Sequence, residues 1–195
     1  MIVLVTQRVA VVADVGERRD ELDQRWAPLL LAADLVPVAV PNHPATAEAL
    51  LDALPVGGVL LTGGNDLGSA PERDATERLL LDRAAERRLP VLGVCRGMQV
   101  IQHWLGVPLV PVEGHVTRAQ EIVLDGRPRT VNSYHRWGAT TTVADLEVRG
   151  IAPDGVIKAV RHRTLPIHGV MWHPERNDPF EETDLTLLRG LFDPR

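Results

Sequence analysis

Residues 91–99 read Val-Leu-Gly-Val-Cys-Arg-Gly-Met-Gln and set the chain's one cysteine, Cys95, between Gly93 and Gly97. A buried-strand pattern leads into it and a helical pattern leads away. Gly-x-nucleophile-x-Gly at a strand-to-helix turn is the pattern of a nucleophile elbow, here with sulfur in place of a hydroxyl. Such a turn strains the backbone of its central residue. Side chains at the two flanking positions would strike the adjoining strand and helix. The helix that follows offers free N–H groups and the positive end of its dipole, which favour a thiolate and an oxyanion alike. A lone cysteine is more often a small buried hydrophobe; the paired glycines turn the reading toward a nucleophile.

A cysteine nucleophile needs a base. Among seven histidines, His173 stands out, in the run Ile-His-Gly-Val-Met-Trp-His-Pro-Glu at 167–175. Pro174 stops the apolar strand, and Glu175 is placed to bond the second imidazole nitrogen and orient the ring. A surface His-Pro-Glu turn is the other reading. His43 lies between prolines, His103 rides the helix after the elbow, and His115, His162 and His168 have no acidic residue at useful local spacing. Taken as metal ligands, His168, His173 and Glu175 match no common spacing, so no metal and no cofactor is expected. A third segment, Leu-Leu-Thr-Gly-Gly-Asn-Asp at 60–66, puts Gly63 and Gly64 at a strand's end, where backbone N–H groups can approach an anion. A phosphate loop would need a lysine or a dinucleotide glycine spacing that is absent here. An ordinary glycine turn stays open.

Elements that could position these segments follow from periodicity. Short β-branched runs predict strands at 2–5, 35–40, 56–61, 90–94 and 167–171. Helical spacing covers 17–33, 46–54 with Thr46 as its cap, 72–88, the stretch from Cys95 to Gly106, and 184–192. Short β segments at 107–112, 121–124, 130–133, 147–151 and 156–160 are split by Gly, Pro and Asp turns. The expectation is one α/β domain over residues 1–195, a doubly wound, mainly parallel sheet flanked by helices, with a small antiparallel β elaboration. All three chemical segments then fall at carboxyl ends of parallel strands, where such sheets bind ligands.

Composition narrows the classes. With 195 residues, 45% apolar and 24% charged, the chain is an ordinary globular one, not disordered, collagen-like or coiled-coil. A net charge of −5 argues against nucleic acid and anionic membranes. Lys158 is the only lysine and sits in no phosphate-loop, kinase or Schiff-base motif. One cysteine leaves no internal disulfide and no multi-cysteine metal site. Without an apolar run near 18 residues or a charged leader, a soluble cytoplasmic protein is expected. Trp26 and Trp104 fall on apolar helix faces and are expected in the core, Trp172 on the site wall, and Arg161 to Arg163 in a solvated turn. For Trp137 and Tyr134, flanking His135, substrate contact and simple packing are both open.

Taken together, the elbow at 93–99, Trp172-His-Pro-Glu175 and Thr62-Gly-Gly-Asn-Asp66 resemble the class I glutamine amidotransferase superfamily. Within it the chain is most similar to the γ-glutamyl–γ-aminobutyrate hydrolase (peptidase C26) branch, through Arg96, the Arg73-Asp74…Glu77 stretch and Val131-Asn-Ser-Tyr-His135. The resemblance implies that Cys95 attacks a γ-glutamyl carbonyl, with His173 as base and then acid, and Glu175 orienting it. It implies an oxyanion hole of the Gly64 and Arg96 N–H groups, and a glutamyl group held by Asn65, Gln99, Asn132, Ser133, Tyr134 and His135. Met171 stands where many relatives have Gln, and the segment between Asp66 and Arg73 is short, which implies a more open mouth. Thr6-Gln-Arg8 and Leu22-Asp…Trp26 resemble short members that act on γ-glutamyl-CDP-amidate. Beside this small-substrate hydrolase stand two other expectations: a glutaminase subunit serving a synthase partner, and a thiol sensor on the same fold. A homodimer or a synthase is the partner expected.

Overall fold

The computed structural model describes residues 1–193, so the last two residues of the expected domain lie outside it. Buried β-branched side chains make β1 (Ile2–Thr6), which runs into a hairpin of β2 (Arg8–Val12) and β3 (Glu17–Glu21). Then come α1 (Trp26–Ala32), β4 (Val36–Val40), α2 (Pro44–Ala53), β5 (Val56–Leu61), α3 (Pro71–Arg87), β6 (Val91–Val94) and α4 (Arg96–Trp104). The second half contributes β7 (Val110–Pro111), β8 (Val116–Leu124), β9 (Arg127–Tyr134), β10 (Trp137–Gly138), β11 (Leu146–Ile151), β12 (Ile157–His162) and β13 (Ile167–Val170). A 3-10 turn at Pro174–Arg176 and α5 (Glu182–Phe192) follow.

Nine strands form one sheet in the order β4-β1-β5-β6-β13-β12-β11-β8-β9. The five from β4 to β13 are parallel. Beyond β13 each neighbour is antiparallel, so the antiparallel elaboration extends the main sheet. Alternation along the strands sends neighbouring side chains to opposite faces. Val3 and Val5 join Leu60, Val94, α1 residues Trp26, Leu29 and Leu30, and α5 residues Leu188 and Phe192 on one face. Leu4, Val59 and Leu61 pack on the other against Leu51, Leu80, Leu81, Met98 and Ile101 from α2, α3 and α4. Helices on both faces make the sheet doubly wound, as expected. Among the described residues no helix is long and apolar enough to cross a membrane.

Two expectations are corrected. Residues 17–25 are not helical: 17–21 are strand β3, paired with β2 from Arg8↔Glu21 to Val12↔Glu17, and α1 begins only at Trp26. Every apolar position that suggested a helix there lies at Leu22 or later, while 17–21 read Glu-Arg-Arg-Asp-Glu and offer a helix nothing to bury. Nor does Thr46 cap α2. Pro44 takes the first helical position and His43 precedes it as cap, its Nδ1 accepting the Thr46 N–H at 3.3 Å. The strand expected at 107–112 shrinks to Val110–Pro111, whereas those at 121–124 and 130–133 lengthen into β8 and β9. Their connection is Asp125-Gly126, both at positive φ (51° and 76°), the tight two-residue hairpin turn that Asp-Gly favours.

Candidate active site

Cys95 sits between β6 and α4 with φ 53° and ψ −108°, a conformation that costs a non-glycine residue energy and persists only where surroundings enforce it. They do so through its N–H, which donates to the Val170 carbonyl at 2.8 Å. A Cβ on Gly93 would stand 2.5 Å from the Gly97 backbone, and one on Gly97 only 2.1 Å from the Leu61 carbonyl oxygen. Both glycines are therefore demanded by close packing, as the elbow pattern requires. Arg96 opens α4, where first-turn N–H groups have no partner within the helix.

His173 follows the end of β13. Its backbone is gripped by the Asn132 side chain, which accepts from His173 N–H at 2.8 Å and donates to its carbonyl at 2.9 Å. Arg25, just ahead of α1, donates to the carbonyls of Glu175 at 2.7 Å and Asn177 at 2.6 Å, fixing the turn beyond. Within that frame His173 Nδ1 lies 2.6 Å from Glu175 Oε1, with both side chains almost fully buried. The Cys95 side chain lies near enough to the ring to act on its charge. Burial opposes charge on the imidazole, but the interactions with Cys95 and Glu175 outweigh it and push His173 up to about 9. A protonated imidazole beside sulfur is the companion a thiolate nucleophile needs.

The glycine loop closes against both. A Cβ on Gly63 would meet His173 Cε1 at 2.7 Å and stand 3.6 Å from Cys95 Cβ. Gly64 has φ 112°, a region open to glycine. Buried Arg73 holds this loop from behind, donating to the carbonyls of Thr62 at 2.7 Å and Gly63 at 3.0 Å. Glu77, fully buried, accepts from Arg73 Nε at 2.9 Å, from the Thr6 hydroxyl at 2.8 Å and from Arg96 Nη1. Arg96 also pairs with Asp74. One carboxylate thus couples the glycine loop to the first residue of α4.

Several residues expected to hold substrate are engaged within the protein. Asn65 exchanges two hydrogen bonds with the Val9 backbone, both 2.8 Å, tying the loop to the β2–β3 hairpin. Gln99 donates to the Trp137 carbonyl at 2.8 Å. Ser133 donates to the His115 carbonyl, and His135 donates from Nδ1 to the Trp137 carbonyl, both at 2.8 Å. Both also contact the Nζ of buried Lys158. Burial, then the Lys158 charge, takes His135 down to about 3. Tyr134 packs edge-on to the His173 ring, centroids 5.8 Å apart. The sequence marks Lys158 as the only lysine but places it in no motif, although a lysine inside the apolar strand run at 156–160 was itself a signal of a buried site. Trp172 is not on the site wall: alternation opposite His173 sends it to α5, where its Nε1 donates to Asp184 at 3.0 Å under the Arg129 guanidinium. His115 does find an acid, Asp154 at 2.8 Å, but 39 residues away. Arg161 belongs to β12 and pairs with Glu147 at 2.6 Å rather than sitting in a free turn. His168 faces a different cleft from His173.

A cleft of about 310 Å³ opens over the His173–Glu175 pair, lined by Gly63, Gly64, His173 and Glu175 on one side and by Arg8, Glu21 and Asp23 of the hairpin region on the other, with buried Cys95 behind that lining rather than part of it. A larger cleft of about 810 Å³, between the antiparallel strands and α5, touches none of Cys95, His173 or the glycine loop. Chemistry, not size, selects the smaller one.

Residues 27–186, reaching from α1 into α5, match the family described as glutamine amidotransferase class-I. The chain belongs to that family. Three relatives illustrate its range. This amidotransferase-family chain is 32% identical over 126 residues to a γ-glutamyl-CDP-amidate hydrolase of Campylobacter jejuni, a stretch that is 62% of each protein. It therefore spans less than two thirds of that relative's length. It is 27% identical over 222 aligned positions to a γ-glutamyl-γ-aminobutyrate hydrolase of Escherichia coli O157:H7, covering 91% of this chain and 86% of that one. It is 36% identical over 145 residues to anthranilate synthase component 2 of Azospirillum brasilense, covering 69% and 72%. The superfamily and its γ-glutamyl hydrolase branch are those the motifs pointed to.

Proposed function

We propose that this class I amidotransferase is a hydrolase of γ-glutamyl amides that works through a thioester on Cys95. The observation that carries the reading is the His173–Glu175 contact at 2.6 Å behind a cysteine held on a strained elbow. The Cys95 thiolate adds to the γ-carbonyl carbon, and the carbonyl electron pair moves onto oxygen. The Gly64 and Arg96 N–H groups receive that oxyanion. As the intermediate collapses the C–N bond breaks, and imidazolium His173 gives its proton to the departing amine. Neutral His173 then takes a proton from water, whose oxygen attacks the thioester. Breaking the C–S bond releases glutamate and restores the thiolate–imidazolium pair. Glu175 keeps the ring oriented throughout.

On the substrate side we read the γ-glutamyl-CDP-amidate class as the first to try. Its support is the Campylobacter relative and two arginines at the cleft, Arg8 and Arg176, within reach of a leaving group's phosphates. A second reading, a glutaminase passing ammonia to a synthase, draws on the likeness to an anthranilate synthase component. The test is glutamate release from glutamine, γ-glutamyl-γ-aminobutyrate, a γ-glutamyl anilide and γ-glutamyl-CDP-amidate, with Cys95→Ala as control. Turnover abolished in the variant supports the hydrolase and identifies its amine. Silence on all four substrates refutes the free-standing hydrolase and leaves the glutaminase.

A further inference from the structure

Residues 132–135 carry much of what surrounds the base, yet backbone pairing holds them loosely. β9 is the outermost strand of the sheet and bonds β8 alone. Among the described residues, β8 in turn pairs with β11 only where Leu124 and Val123 face Gly150 and Ile151, at the opposite end of the long hairpin. The ladder of the main sheet therefore leaves open where the 132–135 end stands relative to β13.

Side chains fix it instead. Alternation turns Asn132 and Tyr134 to one face and Ser133 and His135 to the other. On the first face Asn132 brackets the His173 backbone, accepting its N–H at 2.8 Å and donating to its carbonyl at 2.9 Å, and Tyr134 meets the ring edge-on. On the second, Lys158 of β12, 1% exposed, donates from Nζ to Ser133 Oγ at 3.0 Å and to His135 Nε2 at 2.6 Å. Both acceptors are set for it. Ser133 gives its proton to the His115 carbonyl, and His135 gives its Nδ1 proton to the Trp137 carbonyl, which leaves a lone pair on Nε2. The backbone of Lys158 reaches the base from another side: its carbonyl accepts the Met171 N–H at 2.8 Å, two residues before His173. These contacts close a ring, from the Lys158 carbonyl to Met171, along the chain to His173, across to Asn132, on to Ser133 and back to the Lys158 ammonium. Burying an ammonium among neutral acceptors is costly, and here it completes that ring.

We propose that Lys158 is a positioning residue for the base: it clamps the free end of β9 onto β12 and, through Asn132, sets where His173 stands against Glu175. The inference rests on His173 being the base, as read above. Glu175 is anchored from elsewhere, by Arg25 donating to its carbonyl at 2.7 Å. The 2.6 Å contact between ring and carboxylate thus depends on two separate anchors keeping step, and the lysine governs one of them. Without the ammonium the end of β9 drifts, carries the His173 backbone with it and lengthens that contact.

Nuclear magnetic resonance of the histidine side chains tests this without any substrate. The titration midpoint of His173, assigned with His173→Gln, is followed in wild type, Lys158→Met, Asn132→Ala and the double variant. His103, exposed at the end of α4, serves as the internal reference. In wild type the His173 midpoint should lie near 9, held there in part by Glu175. A lengthened contact weakens that hold, so the midpoint should fall by roughly one unit in Lys158→Met, and by as much or more in Asn132→Ala. Because the lysine acts through Asn132, the double variant should match Asn132→Ala alone to within about 0.3 unit. A His173 midpoint unmoved in folded Lys158→Met overturns the proposal, and so does a double variant whose shift is the sum of the two single ones. Should Lys158→Met not fold, Ser133→Ala decides. It removes one acceptor of the clamp and should lower the midpoint by roughly half a unit, and no change overturns the proposal. A wild-type His173 titrating at its ordinary 6.5 would instead refute the reading of the base, and this inference with it.

Discussion

Replacing Glu77 with Gln should loosen the site without touching any group that meets substrate. Glu77 is fully buried and accepts from Arg73, Arg96 and Thr6. Burial already pulls Arg73 below the ordinary arginine range, with the Glu77 charge opposing that pull. In Glu77→Gln two buried guanidinium groups face one another, and only Arg96 keeps a carboxylate, Asp74. Removing one partner of a buried ion pair costs about 3–5 kcal/mol, because the other charge stays buried and uncompensated. In a domain of this size each kcal/mol moves the melting temperature by about 2–4 °C, so a fall of roughly 6–20 °C is expected. Calorimetry or circular dichroism reads it. Activity should suffer as well, at a temperature where the variant is still folded. Arg73 holds the Thr62 and Gly63 carbonyls and Arg96 opens α4, so both proposed oxyanion donors shift, with about a tenfold or larger loss in kcat. A melting temperature within about 2 °C of wild type, together with unchanged kcat, would refute the coupling argued here.

Other predictions address the base and its surroundings. Gly63→Ala would put a methyl 2.7 Å from His173 Cε1, so glutamate release should fall by about a hundredfold while the far-ultraviolet spectrum is kept. Asn132→Ala removes both hydrogen bonds that grip the His173 backbone; kcat should drop more than KM changes, measured on any substrate that turns over. His173 is raised from 6.5 to about 9 in the folded protein. Its stabilising contribution is therefore complete below pH 6.5 and lost as pH climbs through 9. Melting temperature should decline over that interval, and the decline should flatten in His173→Gln. Glu175→Gln withdraws one of the groups holding the imidazole protonated, so the alkaline limb of the activity profile should move to lower pH.

Legibility in the sequence followed the range of the interactions. The elbow was readable because its pattern is local: Gly93 and Gly97 flank Cys95 within five residues, even though the carbonyl that a Cβ on Gly97 would strike belongs to Leu61 on β5. Glu175 was readable as His173's partner for the same reason, two residues away. Asn132, by contrast, grips His173 across 41 residues, and nothing near residue 132 marks it as a backbone anchor. Arg25 reaches 150 residues along the chain to the Glu175 carbonyl. The hairpin β2–β3 was misread because charged residues 17–21 carry no periodic signal of either kind; cross-strand pairing with β2 settles their conformation. Ser133 and His135 had residue types fit for binding substrate, yet the buried lysine on β12 claims them, a contact only the folded sheet brings about.

The double hydrogen bond between Asn65 and Val9 has an implication for redesign. It welds the hairpin to the glycine loop at one point, while the hairpin's outer residues Val11 and Val15 face solvent. The hairpin meets the cleft only at its base, through Arg8, Glu21 and Asp23, while its outer part is tied elsewhere, Arg18 donating to Glu72 at 2.7 Å and Asp20 accepting from Asn42 N–H at 2.9 Å. A library confined to Arg8, Glu21 and Asp23, with the Val9–Asn65 anchor retained, would vary which amines can approach while leaving the sulfur, its base and the glycine loop in register.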